Sequence, residues 1–281
     1  MESLDTLELT VNLTPKDPWS EIIIAELSEL GFDGFLNTET GIQAYAPASV
    51  DLDAILSQTS LAHNDHFQFS LEKQIIPHQN WNAQWEADFH PVCVEEYATI
   101  LAPFHNKTLG KGLVVEIQPQ MSFGTGHHQT TWMMTKALFE LQEIPAKVLD
   151  MGAGTGVLAI VAEKLGAQEI LAVDIEQWSA ENATENAQRN RCERITSVCG
   201  GIEAIEGKKF GLIIANINKN VLKAQIEKYA VGLEANGTLL LSGFFSSDVD
   251  ELVTFCQDFG LKVEKELAKD EWAGLQLRKT N

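Results

Sequence analysis

Residues 147–174 read Lys-Val-Leu-Asp-Met-Gly-Ala-Gly-Thr-Gly, then Val-Leu-Ala-Ile-Val-Ala-Glu-Lys-Leu-Gly-Ala-Gln-Glu, then Ile-Leu-Ala-Val-Asp. Val148 and Leu149 form the short apolar run of a strand buried on both faces. Gly152, Gly154 and Gly156 let the backbone turn tightly and leave room for a ligand against the main chain. The spacing predicts a helix over 156–165 that packs back on the sheet, with its N-terminus aimed at that ligand. Ile170–Val173 reads as the next parallel strand, so Asp174 falls at a carboxyl end, where open α/β sheets bind their ligands. A carboxylate there can accept both hydroxyls of a ribose. The stretch is read as a nucleoside site.

Its details discriminate between nucleosides. A dinucleotide fingerprint needs a third glycine at 157, which is Val157, and uses the helix N-terminus for a pyrophosphate. S-adenosylmethionine has no phosphate and carries an ammonium and a sulfonium. Asp150, at the end of the first strand, suits that cationic amino acid moiety. The turn therefore favours S-adenosylmethionine, with an NAD-dependent dehydrogenase as the remote alternative.

Downstream, helices and strands alternate. Helices are expected over 178–189, 221–233 and 249–259, and strands over 195–198, 210–215, 238–242, 261–267 and 275–278. That alternation predicts a doubly wound, Rossmann-like α/β sheet. The last two strands follow one another without a helix, so they are expected to pair as an antiparallel hairpin at the edge.

Upstream, residues 1–76 read in the order βαββαβ, a ferredoxin-like split α+β unit. Pro15 and Pro18 frame the start of its first helix, and Gly31 stops it. Residues 1–66 carry twelve acids against one base, Lys16, a net charge of −11 within a chain whose total is −20. Only four arginines occur: Arg189, Arg191, Arg194 and Arg278. A protein gripping nucleic acid neutralises phosphates with lysine and arginine; this one would repel them. The acidic unit is read as a docking domain for a basic protein. Residues 77–92 form the expected linker helix, with Trp81, Trp85 and Phe89 four apart on one face and Pro91 ending the run. The catalytic domain is expected over 93–281.

No run of 18 apolar residues is present, and Met1-Glu2-Ser3 opens no signal peptide. Cys93, Cys192, Cys199 and Cys256 are scattered, as reduced thiols of a cytoplasmic protein would be. A monomer is expected.

Two further segments bear on chemistry. In the loop Met121-Ser-Phe-Gly-Thr-Gly-His-His-Gln-Thr-Thr131, Gly124 and Gly126 make a flexible turn, and Thr130 or Thr131 can cap the helix that follows to Glu143. His127 and His128 lack the carboxylate or cysteine neighbours of a metal site, and no metal is expected. The loop reads as flanking the cofactor. Ile213-Ile214-Ala215-Asn216-Ile217-Asn218 ends a buried strand in a polar tip beside the first strand. There Asn216 and the Ile217 carbonyl can accept hydrogen bonds from a substrate amine. Either asparagine can instead cap the next helix.

Together these segments resemble the ribosomal protein methyltransferases of the PrmA type, which modify large-subunit ribosomal protein eleven. The resemblance spans nearly the whole chain and is most specific in the Phe-Gly-Thr-Gly loop combined with Asn-Ile. It implies methyl transfer from S-adenosylmethionine to lysine or N-terminal amines of that protein; another basic protein or a small-molecule amine is the alternative substrate. Carried over residue by residue, it places cofactor contacts on Thr131, Gly152, Asp174 and Asn216. Phe123, Asp150, Gly154 and Gly156 complete the expected cofactor set, and Asn216 and Ile217 the catalytic one. The family loop usually reads Thr-His-Pro-Thr-Thr where this chain has His127-His128-Gln129-Thr130-Thr131, and its tip reads Asn-Ile-Leu where this chain has Asn218. Both departures bear on substrate fit rather than on the cofactor.

Overall fold

The computed structural model describes residues 5–63, 65–77, 86, 89–119 and 128–280, and the chain divides into two compact units, 1–87 and 88–281. In the first, the order is β1 (Thr6–Thr14), α1 (Trp19–Glu29), β2 (Gly34–Asn37), β3 (Gly41–Pro47), α2 (Leu52–Leu56) and β4 (Gln68–Ile76). The sheet runs β2-β3-β1-β4 with every neighbouring pair antiparallel. Strict alternation along β1 buries Leu7, Leu9, Val11 and Leu13, which pack with Ile23 and Leu27 of α1. Asp51 caps α2 by accepting the Ala54 N–H at 3.1 Å.

The second unit opens with a small sheet of β5 (Val92–Val94), β6 (Ala98–Leu101) and β7 (Leu113–Glu116). The sequence reading missed these strands, because three or four residues carry too little periodicity to stand out. Trp81 and Trp85 lie outside the described residues. Phe89 is not helical and packs against Phe104 and His105. The next-but-one residue, Pro91, disfavours helix at His90, and β5 already begins at Val92.

Then follow α3 (Gln129–Glu140), β8 (Lys147–Met151), α4 (Val157–Lys164), β9 (Glu169–Asp174), α5 (Gln177–Arg189), β10 (Ile195–Cys199), β11 (Phe210–Asn216), α6 (Lys219–Gly232), β12 (Leu233–Phe245), α7 (Val249–Gln257), β13 (Leu261–Lys269) and β14 (Trp272–Lys279). The sheet order is β10-β9-β8-β11-β12-β14-β13, parallel from β10 to β12. Adjacent residues on the central strands serve opposite faces. Val148, Leu212 and Leu240 join a core with α3, α4 and α5; Leu149, Ile213 and Leu241 join one with α6 and α7. This two-sided burial is why the strands read as unbroken apolar runs.

The C-terminal hairpin forms at the sheet edge, but the antiparallel strand is not outermost: β14 returns inward to pair with β12, leaving β13 at the edge. Composition explains the order. β14 buries Ala273, Gly274, Leu275 and Leu277, whereas Leu-Lys-Val-Glu-Lys-Glu-Leu-Ala-Lys in β13 supplies the charges that blunt an edge.

From β8 the chain winds outward through β9 and β10, then crosses back to β11 and β12. The crevice between β8 and β11 is thus the switch point of the sheet, and it opens at the carboxyl ends where the candidate residues sit.

Candidate active site

The glycine turn is fastened to β9. Gly152 and Ala153 both donate to the Val173 carbonyl, at 2.8 and 3.1 Å, and Gly156 donates to the Ala153 carbonyl at 2.8 Å. Gly152, Gly154 and Gly156 all have positive φ, which closes the turn in five residues. Asp174 is held by the same backbone: one carboxylate oxygen accepts the Gly154 N–H at 2.9 Å, the other the Glu176 N–H at 3.1 Å.

Asp150 takes a different place from the one its position suggested. It points to the α4 face of the sheet, fully buried, and accepts the Ala159 N–H at 3.0 Å in the first turn of α4. Burial pushes its carboxyl up to about 7; the Ala159 bond opposes that and the Asp174 charge adds to it.

At the tip of β11, the two asparagines divide their roles. Asn218 Oδ1 accepts the Val221 N–H at 3.2 Å and caps α6. Asn216 Oδ1 is buried without a hydrogen-bond partner. Between them, Ile217 donates to the Ser242 carbonyl at 3.1 Å and packs against two glycines. A Cβ on Gly152 would stand 2.2 Å from the Ile217 side chain; one on Gly243 would stand 2.3 Å from its carbonyl oxygen. The tip can therefore sit against both the turn and β12 only because neither glycine carries a side chain.

Above them lies a cavity of about 550 Å³, the size of an ordinary small-molecule site. Gly152, Gly154, Asp174, Asn216 and Ile217 line it together. Asp150, Gly156 and Thr131 do not. Gly156 faces Ala183 of α5, and Thr131 is buried in α3 with its hydroxyl unpartnered, while its neighbour Thr130 reaches the cavity. Phe123 lies outside the described residues. Neither threonine caps α3: His128 does, its Nδ1 accepting the Thr130 N–H at 3.3 Å. Burial lowers the His128 pKa by disfavouring the charged imidazolium.

Further lining residues escaped the sequence reading, among them Ile175, Trp178, Gln225, Gly243 and Trp272. Trp272 stands edge-on to His128, with ring centroids 4.5 Å apart, and packs on Phe245. It enters the wall only because β14 pairs inward. Ile175, immediately beyond the end of β9, and Trp178, in the first turn of α5, carried a weak local signal as exposed apolar residues. Among the described lining residues the charged side chains are Asp174 and Glu176, with no lysine or arginine.

A carboxylate for a diol, apolar walls, an orphaned amide oxygen and no cation for a phosphate fit S-adenosylmethionine, and this mixed sheet is that of the class I methyltransferases. A family model described as "Ribosomal protein L11 methyltransferase (PrmA)" matches residues 21–280. The chain is 40% identical over 262 residues to a protein of that name from Porphyromonas gingivalis, covering 91% of this chain and 89% of the relative. It is 35% identical over 272 residues to another from Chlorobaculum tepidum, covering 90% of each. Among solved structures, a ribosomal protein L11 methylase from Lactobacillus delbrueckii superposes with a TM-score of 0.63 at 26% identity, over 69% of this chain and all of that one. A methyltransferase from Pyrococcus furiosus shares the fold, with a TM-score of 0.51 at 17% identity over 59% of this chain and 90% of its own. The chain belongs to the ribosomal protein L11 methyltransferase family.

Proposed function

We propose that this protein is an S-adenosylmethionine-dependent methyltransferase that modifies amines of ribosomal protein L11. The observation that carries the assignment of roles is the buried, unpartnered Asn216 Oδ1 at the mouth of the β8–β11 crevice. A buried acceptor left open costs free energy unless a ligand satisfies it. Asp174 would hold the ribose hydroxyls, with Gly152 and Gly154 against the nucleoside. Gly156, Asp150 and Thr131 would support that cradle from behind, and Phe123 belongs to the same expected set. When bound, S-adenosylmethionine supplies an electrophilic methyl group.

The chain's own residues must then present a neutral amine. Making a lysine neutral at pH 7 costs about 4–5 kcal/mol, and an α-amine about 1–1.5 kcal/mol. Burial lowers an amine pKa by disfavouring the cation, and a neighbouring positive charge adds to that effect. Asn216 Oδ1 and the Ile217 carbonyl would accept the amine hydrogens and aim its lone pair, and positioning of this kind supplies much of the rate of such reactions. Nothing in this scheme requires a general base.

The first unit reads as the docking domain, and its sheet order and all-antiparallel pairing support a ferredoxin-like fold. In this reading residues 1–76 capture the basic substrate, 77–92 link, and 93–281 catalyse. The enzyme acts as a cytoplasmic monomer without contacting nucleic acid. The decisive experiment incubates the chain with methyl-labelled S-adenosylmethionine and purified ribosomal protein L11, with mass spectrometry of the product. Label on L11 amines is expected; label only on other proteins or small amines would refute the substrate.

A further inference from the structure

Asn182, Asn186 and Asn190 recur every fourth residue along α5 and its C-cap, and so share one face. That face meets the outer edge of β7 and its continuation. On the inner side β7 pairs in parallel with β6, and the Leu113 and Ile117 amides donate to the Tyr97 and Leu101 carbonyls, each at 2.8 Å. The backbone groups of alternate residues point the other way. There Asn190 Oδ1 accepts the Glu116 N–H at 2.8 Å, and its amide donates to the Glu116 carbonyl at 2.6 Å. One helical turn earlier, Asn186 Oδ1 accepts the Gln118 N–H at 2.8 Å.

The match has a simple basis. A carboxamide offers the donor and acceptor of a peptide unit. Four helical residues advance about 6 Å and two strand residues about 6.6 Å, so the two rows keep step. The helix stands in for a missing strand.

Asn186 does one thing more. Its Nδ2 donates to the Thr155 carbonyl at 3.0 Å, inside the glycine turn and next to Gly154 of the cavity wall. One fully buried side chain therefore ties the turn beneath the cavity to the strand continuation at Gln118. We propose that Asn186 is a positioning residue for the cofactor site: holding the Thr155 carbonyl and the Gln118 amide together, it fixes the glycine turn against which the nucleoside lies. The proposal rests on the cavity being the S-adenosylmethionine site.

Asn186→Asp tests it. The variant keeps the shape and the acceptor for Gln118 but turns an oxygen toward the Thr155 carbonyl. Its Kd and KM for S-adenosylmethionine should rise about ten-fold near pH 8 relative to wild type, while the KM for the protein substrate holds. Affinity should recover toward wild type as pH falls to about 5, where a protonated carboxyl regains a donor. Asn190→Asp likewise keeps its acceptor for the Glu116 N–H but loses the amide that donates to the Glu116 and Asn186 carbonyls, without touching the turn; it should lower the melting temperature and leave cofactor affinity unchanged. Wild-type affinity in Asn186→Asp near pH 8, or equal loss in Asn190→Asp, overturns the proposal alone. A wild-type chain that fails to bind S-adenosylmethionine overturns the reading of the cavity as well. Should Asn186→Asp not fold, hydrogen exchange on the wild type decides. Saturating cofactor should slow the Gln118 amide about five-fold more than the Glu116 amide, and equal protection overturns the coupling.

Discussion

Asn216 and Asp150 both carry a carbonyl-type oxygen at a strand end, yet the structure gives them opposite energetics. Asn216 Oδ1 makes no hydrogen bond in the folded chain, so removing it sacrifices none. Asn216→Ala should therefore melt at or slightly above the wild-type temperature while kcat falls about 100-fold, roughly 3 kcal/mol of transition-state positioning. Wild-type turnover in that variant would remove Asn216 from the reaction. Asp150 behaves otherwise. Its folded value of about 7 lies above the ordinary 3.8, so the folded chain keeps the proton that the unfolded chain releases in between. Its contribution to stability is fully present below pH 3.8 and is lost as pH rises through about 7. Asp150→Asn removes that loss and can still accept from Ala159. The stability of the variant relative to wild type should grow from about pH 4 to about pH 8, by at most about 4 kcal/mol; a constant difference in denaturant melts across that range would contradict the shift. The same residue marks where reading the sequence stops. Position 150 follows 148 on the α4 side of β8, a parity that strand alternation already contains. That parity sets Asp150 against α4 instead of in the cavity wall. Likewise, Thr130 rather than Thr131 reaches the cavity because helix phase at a capped terminus depends on where the cap falls, and the cap is His128.

At the scale of elements, long and strongly patterned segments were legible: β8, α4, β9, α5 and β11 lie within two residues of their expected bounds. Each carries its buried residues in a run or period long enough to stand out. The small β5–β7 sheet was not legible because its strands are only three or four residues long, and the inward turn of β14 was not because it depends on pairing with β12, across the intervening α7 and β13. β12 shows the cost of that gap for the site. It was expected over 238–242 but continues to Phe245, and this extension sets Gly243 beneath the Ile217 carbonyl. Gly243 has φ +97° and no room for a Cβ. Gly243→Ala should destabilise the fold by about 1–3 kcal/mol through backbone strain and also displace the Asn216–Ile217 tip, lowering kcat. Gly166→Ala isolates the two effects, because Gly166 has φ +118° and open space where a Cβ would stand. That variant should lose comparable stability and retain full turnover per folded molecule. If Gly243→Ala also keeps full turnover, the tip does not need the β12 seat.

Across the whole molecule, charge is the property most fully readable from sequence, because it adds residue by residue without reference to the fold. Twelve acids against Lys16 within residues 1–66 leave that part of the first unit at −11. The cavity of the second unit carries only Asp174 and Glu176 as charged lining among the described residues. Capture of a basic protein and binding of a small cofactor should thus respond differently to salt. Raising ionic strength from about 0.05 to 0.5 M shortens the Debye length from roughly 14 to 4 Å and screens exposed charges, while buried or partly buried pairs are screened less. The KM for ribosomal protein L11 should climb about ten-fold or more over that range, through a slower association rate, with the KM for S-adenosylmethionine changing less than about two-fold. Deleting residues 1–76 should reproduce the high-salt behaviour at low salt: calorimetry still detects the cofactor, methylation of the protein collapses, and added salt has little further effect. Each alternative leaves its own signature. A flat KM for the protein with the first unit present would mean that docking is not electrostatic. A truncated chain that methylates the protein at full rate would mean that the first unit does not dock it.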